Sequence, residues 1–222
     1  LNAASVAHIA CFPMGAIRKT RLEIGESALV MGLGILGMLA VQELRAAGAA
    51  PIIAVDLLES RRKQALDSGA DLALDSGDPG FVQAVKEITG GGANAAVEVT
   101  GAGKALDQVL DVIAPKGRVA LLGCTRDRDF TIDYYRKVHG PGVTLIGAHT
   151  AARPQADSYP GFWTVHDEMA GILRLQKGGR LDIQRIISEV HSPAEAPEIY
   201  RRMLTEPDFP VGVQFDWSLL KD

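Results

Sequence analysis

Cysteine is almost missing from this chain: its 222 residues include only Cys11 and Cys124. That excludes a disulfide framework and a CxxC-type zinc lobe, and it fits a reducing cytoplasm. Long apolar runs are missing as well. The uncharged, strongly apolar stretch Ser27 to Gln42 falls short of the roughly 20 residues a membrane span needs. No signal-peptide pattern opens the chain. Basic stripes are also absent. The 23 Lys and Arg residues are scattered among 27 Asp and Glu, and the formal charge of −4 would repel a nucleic acid backbone. What remains is a chain 47% hydrophobic, long enough for one large or two small domains with a sizeable core.

Glycine is plentiful, and three residues of it are spaced for a purpose. Ala28 to Met31 reads as a buried parallel strand that runs through Gly32-Leu-Gly34-Ile35-Leu36-Gly37 into a helix reaching Ala47 and stopping at Gly48. In such a turn Gly32 permits the tight bend, Gly34 lets the backbone approach a pyrophosphate, and Gly37 lets the helix pack closely on the strand. Phosphates would then meet free N–H groups at the positive end of a helix. A second apolar strand, Pro51 to Val55, delivers Asp56 at roughly the 20-residue distance at which the fingerprint places its ribose carboxylate. A carboxylate there accepts from both ribose hydroxyls. A 2′-phosphate would set two anions about 4 Å apart, at a cost of up to roughly 4 kcal/mol at an effective dielectric of 20, so NAD is expected over NADP. Two other readings stay open: Asp56 could cap the helix beginning near Leu58, and Arg61 and Arg62 could hold a phosphate.

The βα alternation continues beyond Asp56. Helices are expected at Glu59–Ser68, Gly80–Thr89, Lys104–Ile113 and, briefly, Tyr134–His139; strands are expected at Leu72–Leu74, Ala95–Val99, Arg118–Leu122 and Val143–Ile146. Non-alternating apolar strands separated by amphipathic helices predict a doubly wound parallel sheet of six strands. After Gly147 the character changes. Thr150 to Gly161 is a loop with two prolines; Phe162–Gln176 is a helix stopped by Gly178-Gly179; Ile186–Val190 and Val211–Phe215 are strands. Ser192-Pro-Ala-Glu195 opens a helix reaching about Leu204, with a capping box. The apolar edge strand Val143–Ile146 is expected to pair with a second copy in a homodimer or homotetramer.

The segments Leu22 to Gly34, Ile53 to Asp56, Ser68 to Asp71, Ala96 to Gly101, Gly117 to Gly123 and Thr144 to Gly147 together resemble the medium-chain dehydrogenase/reductase superfamily, especially its zinc-type alcohol and polyol dehydrogenases. The resemblance implies a Rossmann domain over 22–150, preceded by a joining helix over 1–21 and followed over 151–222 by a return to a catalytic domain. It implies that Thr100 and Gly101 flank the adenosine side of NAD. It also implies that Leu122, Gly123 and Cys124, with Gly147, Ala148 and His149, line the nicotinamide half, outside the carboxyl ends of the strands. Cys124 itself reads as a small buried hydrophobe, and His149 as either a cleft residue or a structural one.

Departures from the family are expected to matter. The N-terminal catalytic domain, with its zinc-binding cysteine and Gly-His-Glu segment, is not matched, so the chain looks like a truncated dehydrogenase. Counting back from Gly25 puts the family's third zinc ligand at or beside His8, with Cys11 a weaker candidate; His139, His166 and His191 match no ligand pattern. The expected function is the NAD-binding portion of an oxidoreductase acting on a small alcohol or polyol, with zinc in the full-length family member and no catalysis by this chain alone. A zinc-free enone or quinone reductase fragment, or a free-standing NAD-binding module, are the alternatives.

Overall fold

Four successive apolar residues ended by Gly32 suit a strand covered on both faces, and Ala28–Met31 forms such a strand, β1, wholly buried at the centre of a sheet. The architecture is that of a computed structural model, which describes residues 2–125 and 129–220. Before β1 comes the long helix α1 (Asn2–Thr20). After it follow α2 (Ile35–Ala47), β2 (Ile52–Val55), α3 (Glu59–Asp67), β3 (Leu72–Leu74), α4 (Phe81–Thr89), β4 (Ala93–Glu98), α5 (Gly103–Val112), β5 (Ile113–Leu121) and β6 (Thr144–Gly147). Six strands form one parallel sheet in the order β3-β2-β1-β4-β5-β6. The chain therefore winds one way through β2 and β3 and the other way through β5 and β6, and the direction switches between β1 and β4.

Register decides what this sheet presents. Met31 pairs with Val55 on one side and Glu98 on the other; Val55 pairs with Leu74, Glu98 with Leu121, and Leu121 with Gly147. The carboxyl ends of all six strands are level, so the loops leaving them form one row along a single edge of the sheet. Each face is sealed by helices. Cys11, Met14, Leu39, Leu44 and Ile172 belong to the core on the side of α1 and α2, whereas Phe81, Val85, Leu106, Val109 and Val119 form the other core under α4 and α5.

Beyond the sheet lie α6 (Val165–Lys177), β7 (Ile187–His191), α7 (Ala196–Thr205) and β8 (Gly212–Phe215). The two strands pair with each other in parallel, apart from the large sheet. The expected capping box forms as read: the Ser192 side chain accepts from Ala194 N–H, and Glu195 Oε1 accepts from Ser192 N–H at 2.9 Å. Several boundaries differ from the sequence reading. Helix α6 begins at Val165 rather than Phe162, because Thr164 caps it by accepting from Asp167 N–H at 3.2 Å. Strand β5 begins at Ile113 rather than Arg118; a kink with Lys116 at φ 63° interrupts the apolar pattern without ending the strand. The 134–139 segment is a π-helical turn at Tyr135–His139, and the edge strand starts at Thr144, with Val143 buried just before it. Among the described residues, no helix is long and apolar enough to cross a membrane.

Candidate nucleotide-binding site

The three glycines of the β1–α2 turn fail differently when a Cβ is imagined on each. At Gly32, whose φ of 96° disfavours side chains, a Cβ would come within 2.7 Å of Thr100 Cγ2; at Gly37 it would lie 1.9 Å from the Gly32 carbonyl oxygen. These two glycines are required by the fold itself, one for the bend and one for the close approach of helix to turn. Gly34 is different. A Cβ there would meet only Arg61 Nη1, at 4.0 Å, so the protein fills no space beside it. Gly34 is also the N-cap of α2 and offers no side-chain cap, which leaves the first-turn N–H groups, including those of half-buried Ile35 and Leu36, without side-chain capping. Beside this turn, Arg61 Nε is buried without a hydrogen-bond partner among the described residues. An open backbone, a helix N-terminus and an orphaned guanidinium donor together suit an anionic group.

Asp56 closes the other side of the turn. Its Oδ2 accepts from Leu33 N–H at 2.8 Å and its Oδ1 from Leu58 N–H at 2.9 Å. The capping alternative raised by the sequence is therefore present in part, since Leu58 is the N-cap of α3. It does not exhaust the carboxylate: with roughly four acceptor sites, two are used and two are free to take hydroxyl donors. Arg62 is committed elsewhere, donating to the carbonyls of Asp56 and Leu57, both at 2.8 Å, and pairing with Asp75 at 3.2 Å. Arg61 is thus the guanidinium facing the glycine turn.

Between the ends of β1, β2 and β4 lies a cleft of about 420 Å³, lined by Gly32, Asp56 and Thr100 along with Leu57, Lys104 and Gln108. It opens at the topological switch point, where ligands of doubly wound sheets sit. Its floor is held by a residue to which the sequence reading gave no role. Glu98, buried at the end of β4, accepts from the Thr100 N–H at 2.7 Å, from the Thr100 hydroxyl, and from Gly101 N–H at 3.1 Å, folding 99–101 into a fixed turn. Gly101 (φ 69°) and Gly123 abut: a Cβ on the first would lie 2.6 Å from the Cys124 carbonyl oxygen, and one on the second 2.2 Å from Gly101 N. An acid directly before a Val-Thr-Gly turn at a strand end was the available signal for Glu98.

The remaining predicted residues line the same sheet edge farther toward β6, outside the lining of this cleft. Leu122 and Ala148 are buried, while Gly147 and His149 are exposed. His149 Nδ1 accepts from Ala151 N–H at 3.0 Å, a local turn contact. Cys124 corrects the reading of it as a buried hydrophobe: it is exposed, because it leaves β5 at the open carboxyl edge, and Cys11 is the buried thiol. His8 stands on the exposed side of α1, with its ring edge against Phe12 at 5.4 Å between centroids. Among the described residues, no three His, Cys, Asp or Glu side chains converge, so these residues do not by themselves assemble the three protein ligands a catalytic zinc takes.

The level sheet with its switch-point cleft and glycine turn defines a doubly wound domain of the Rossmann type. The chain belongs to the zinc-binding dehydrogenase family, whose pattern it matches over residues 36–163. It is 36% identical over 124 residues to the L-threonine 3-dehydrogenase of Pyrococcus horikoshii, covering 55% of this chain and 35% of that protein. It is 27% identical over 208 residues to the D-guloside 3-dehydrogenase of Escherichia coli K12, covering 92% of this chain and 59% of that one. Among solved structures, a "short chain alcohol dehydrogenase" of Escherichia coli CFT073, complexed with NADH, matches with a TM-score of 0.81 at 14% identity, over 97% of this chain and 59% of that chain. The chain thus spans between about a third and three-fifths of the length of these relatives.

Proposed function

We propose that this chain is the NAD(H)-holding portion of a zinc-type oxidoreductase that moves hydride between a nicotinamide cofactor and a small alcohol or polyol. The observation that carries the reading is the pairing of an open backbone at Gly34 with an Asp56 carboxylate that retains two acceptor sites beside the same cleft. Gly32, Gly34, Ile35, Leu36 and Gly37 would present the helix N-terminus to the diphosphate, with Arg61 beside it. Asp56 would take the adenosine ribose hydroxyls, with Thr100 and Gly101 on the adenosine side. Leu122, Gly123, Cys124, Gly147, Ala148 and His149 would flank the nicotinamide half. The cofactor supplies the hydride chemistry when bound; the protein binds and orients it.

Relatives named for alcohol, threonine and sugar-derivative oxidation support a carbinol substrate, and the NADH complex of a structural neighbour supports the cofactor. Asp56 disfavours the NADPH-using, zinc-free reductase alternative, since its charge would repel a 2′-phosphate. Within the chain, 1–21 serves as the joining helix, 22–150 as the nucleotide domain and 151–222 as the segment that returns toward a catalytic domain. A soluble homodimer or homotetramer through the β6 edge fits the reading, with no nucleic acid or membrane partner. A cytoplasmic setting suits two unpaired cysteines.

Because the described residues do not assemble three metal ligands, His8 included, this polypeptide by itself is expected to hold no stoichiometric zinc and to oxidise no alcohol. Metal analysis of the purified chain, run with a broad alcohol and polyol screen against NAD, tests this. One tightly bound zinc per chain accompanied by turnover would show a complete site and refute the division of labour.

A further inference from the structure

The sheet face under α1 and α2 carries a concentration of unsatisfied polar atoms that neither the fold nor the nucleotide cleft explains. Seven buried side-chain nitrogen and oxygen atoms lack a hydrogen-bond partner among the described residues, and five of them belong to one patch: Arg18 Nε, both carboxylate oxygens of Glu43, Arg153 Nη1 and Glu168 Oε2. Glu43 and Glu168 are 4% and 1% exposed. Arg153 Nη2 lies 3.1 Å from Glu168 Oε2, an ion pair that is not a hydrogen bond, and donates to the Cys11 carbonyl. Gly15 makes room for this carboxylate; a Cβ there would stand 2.8 Å from Glu168 Oε1. Each unsatisfied buried group is costly, and three of the five atoms, Arg18 Nε and both Glu43 oxygens, belong to residues that also line a cavity, where an occupant could satisfy them.

Room for one exists. A cavity of about 350 Å³ is lined by Arg18, Arg21 and Glu43, with Met14, Leu22 and Leu175 among its apolar walls. It reaches Ala46 and Ala47 at the far end of α2, roughly 15–20 Å along the helix from the glycine turn at 1.5 Å per residue. Arg18 is held in place rather than waving in solvent: its guanidinium lies 3.4 Å from the centroid of Trp163. We propose that this cavity is a second ligand site, built for a short-chain aliphatic monocarboxylate. The ligand's carboxylate accepts from Arg18 Nε and from Glu43, and its alkyl tail lies on the apolar wall.

Charge selects an anion over a cation. Both Glu43 carboxylate oxygens are buried without a hydrogen-bond partner among the described residues, and burial, then the neighbouring Glu168 charge, holds this carboxyl well above the ordinary carboxylate range, which favours its neutral, proton-donating form. With Glu43 neutral, the charges acting on Arg18 are Glu168 and Arg174, and Arg21 lines the same cavity, so a monoanion reduces the excess positive charge. An ammonium ligand would face two arginines instead. Glu43 is also the one member whose loss should separate ligand binding from everything described at the glycine turn, which lies at the other end of its helix.

Calorimetric titration of butyrate and butylammonium at pH 7 and constant ionic strength, with folding of each variant checked by circular dichroism, tests the proposal. Butyrate is expected to bind one site, about tenfold or more weaker in Glu43→Leu and Arg18→Gln, and within about threefold of wild type in the isosteric Glu43→Gln, which still donates. NADH is expected not to displace it. No saturable butyrate binding, a preference for butylammonium, wild-type butyrate affinity retained in Glu43→Leu and Arg18→Gln, or displacement by NADH would each overturn the proposal.

Discussion

Alanine at Gly34 and at Gly37 should separate what the glycine turn does for the fold from what it does for the cofactor. At Gly37 the new methyl would sit 1.9 Å from the Gly32 carbonyl oxygen and 2.9 Å from its carbon. Backbone cannot rotate away as a side chain can, so turn and helix must separate by about 1–2 Å to restore ordinary contact. Overpacking of this kind costs about 1–3 kcal/mol, here at the upper end, against about 1 kcal/mol regained because alanine favours a helix. A net loss of about 2 kcal/mol lowers Tm by about 4–8 °C for a chain of this size. At Gly34 the methyl meets only Arg61 Nη1 at 4.0 Å, and φ is an ordinary −71°. The loss there is at most the difference between glycine and alanine at an N-cap, up to about 1 kcal/mol. Yet that methyl fills the space through which a diphosphate would reach the helix N-terminus. Thermal melts paired with NADH fluorescence titrations should therefore show Gly37→Ala losing both stability and binding, and Gly34→Ala melting within about 4 °C of wild type while NADH affinity falls at least about tenfold. Undiminished NADH binding by Gly34→Ala would refute the reasoning.

The Glu43 and Glu168 carboxyls, raised by burial with Glu168 at about 7, keep protons in the folded state that the unfolded chain releases above about 4.3, so stability should fall as pH rises from 5 to 8. Glu43→Gln should make that decline shallower in melts across the range; an equal or steeper decline would count against it. In the β7–β8 unit, hydrogen bonds from Arg202 and then His191 draw Glu189 down to about 2, and Glu189 and then Glu195 raise His191. The Glu189 contribution is complete above the usual carboxylate range and lost toward pH 2, whereas the His191 contribution is complete below about 6.5 and lost as pH rises. Amide protection across this pair, corrected for intrinsic exchange, should peak between these limits; protection that climbs from pH 6 to 8 would exclude the histidine. The β6 edge, with Leu145 and Ile146 half-buried, should sediment as a dimer or tetramer that Ile146→Lys dissociates, and a wild-type monomer at micromolar concentration would remove that interface.

The parts of this molecule legible in the sequence are those encoded locally. Apolar runs gave the strands, glycine spacing gave the turn, the interval to Asp56 gave the second strand end, and Ser192 to Glu195 carried its cap in four residues. Register at single-residue precision was harder: a helix turns about 100° per residue, enough for neighbouring Ala7 and His8 to lie one buried and one exposed. Cys124 was misread because an apolar strand context says nothing about where the strand end opens to solvent. The Arg18, Glu43, Arg153 and Glu168 patch was invisible for a different reason. Its members come from α1, α2, the 151–161 loop and α6, and no local pattern links them before the fold does.

The claim on which the account rests is that Asp56 and the glycine turn hold NAD(H) and exclude a 2′-phosphate. Titrating the chain with NADH and NADPH side by side, in wild type and in Asp56→Asn, tests it most directly. The account predicts saturable NADH binding, NADPH weaker by about tenfold or more because the carboxylate repels its phosphate, and a gap that narrows in the variant. Absence of saturable NADH binding, or equal affinities for the two nucleotides in the wild-type chain, would contradict it.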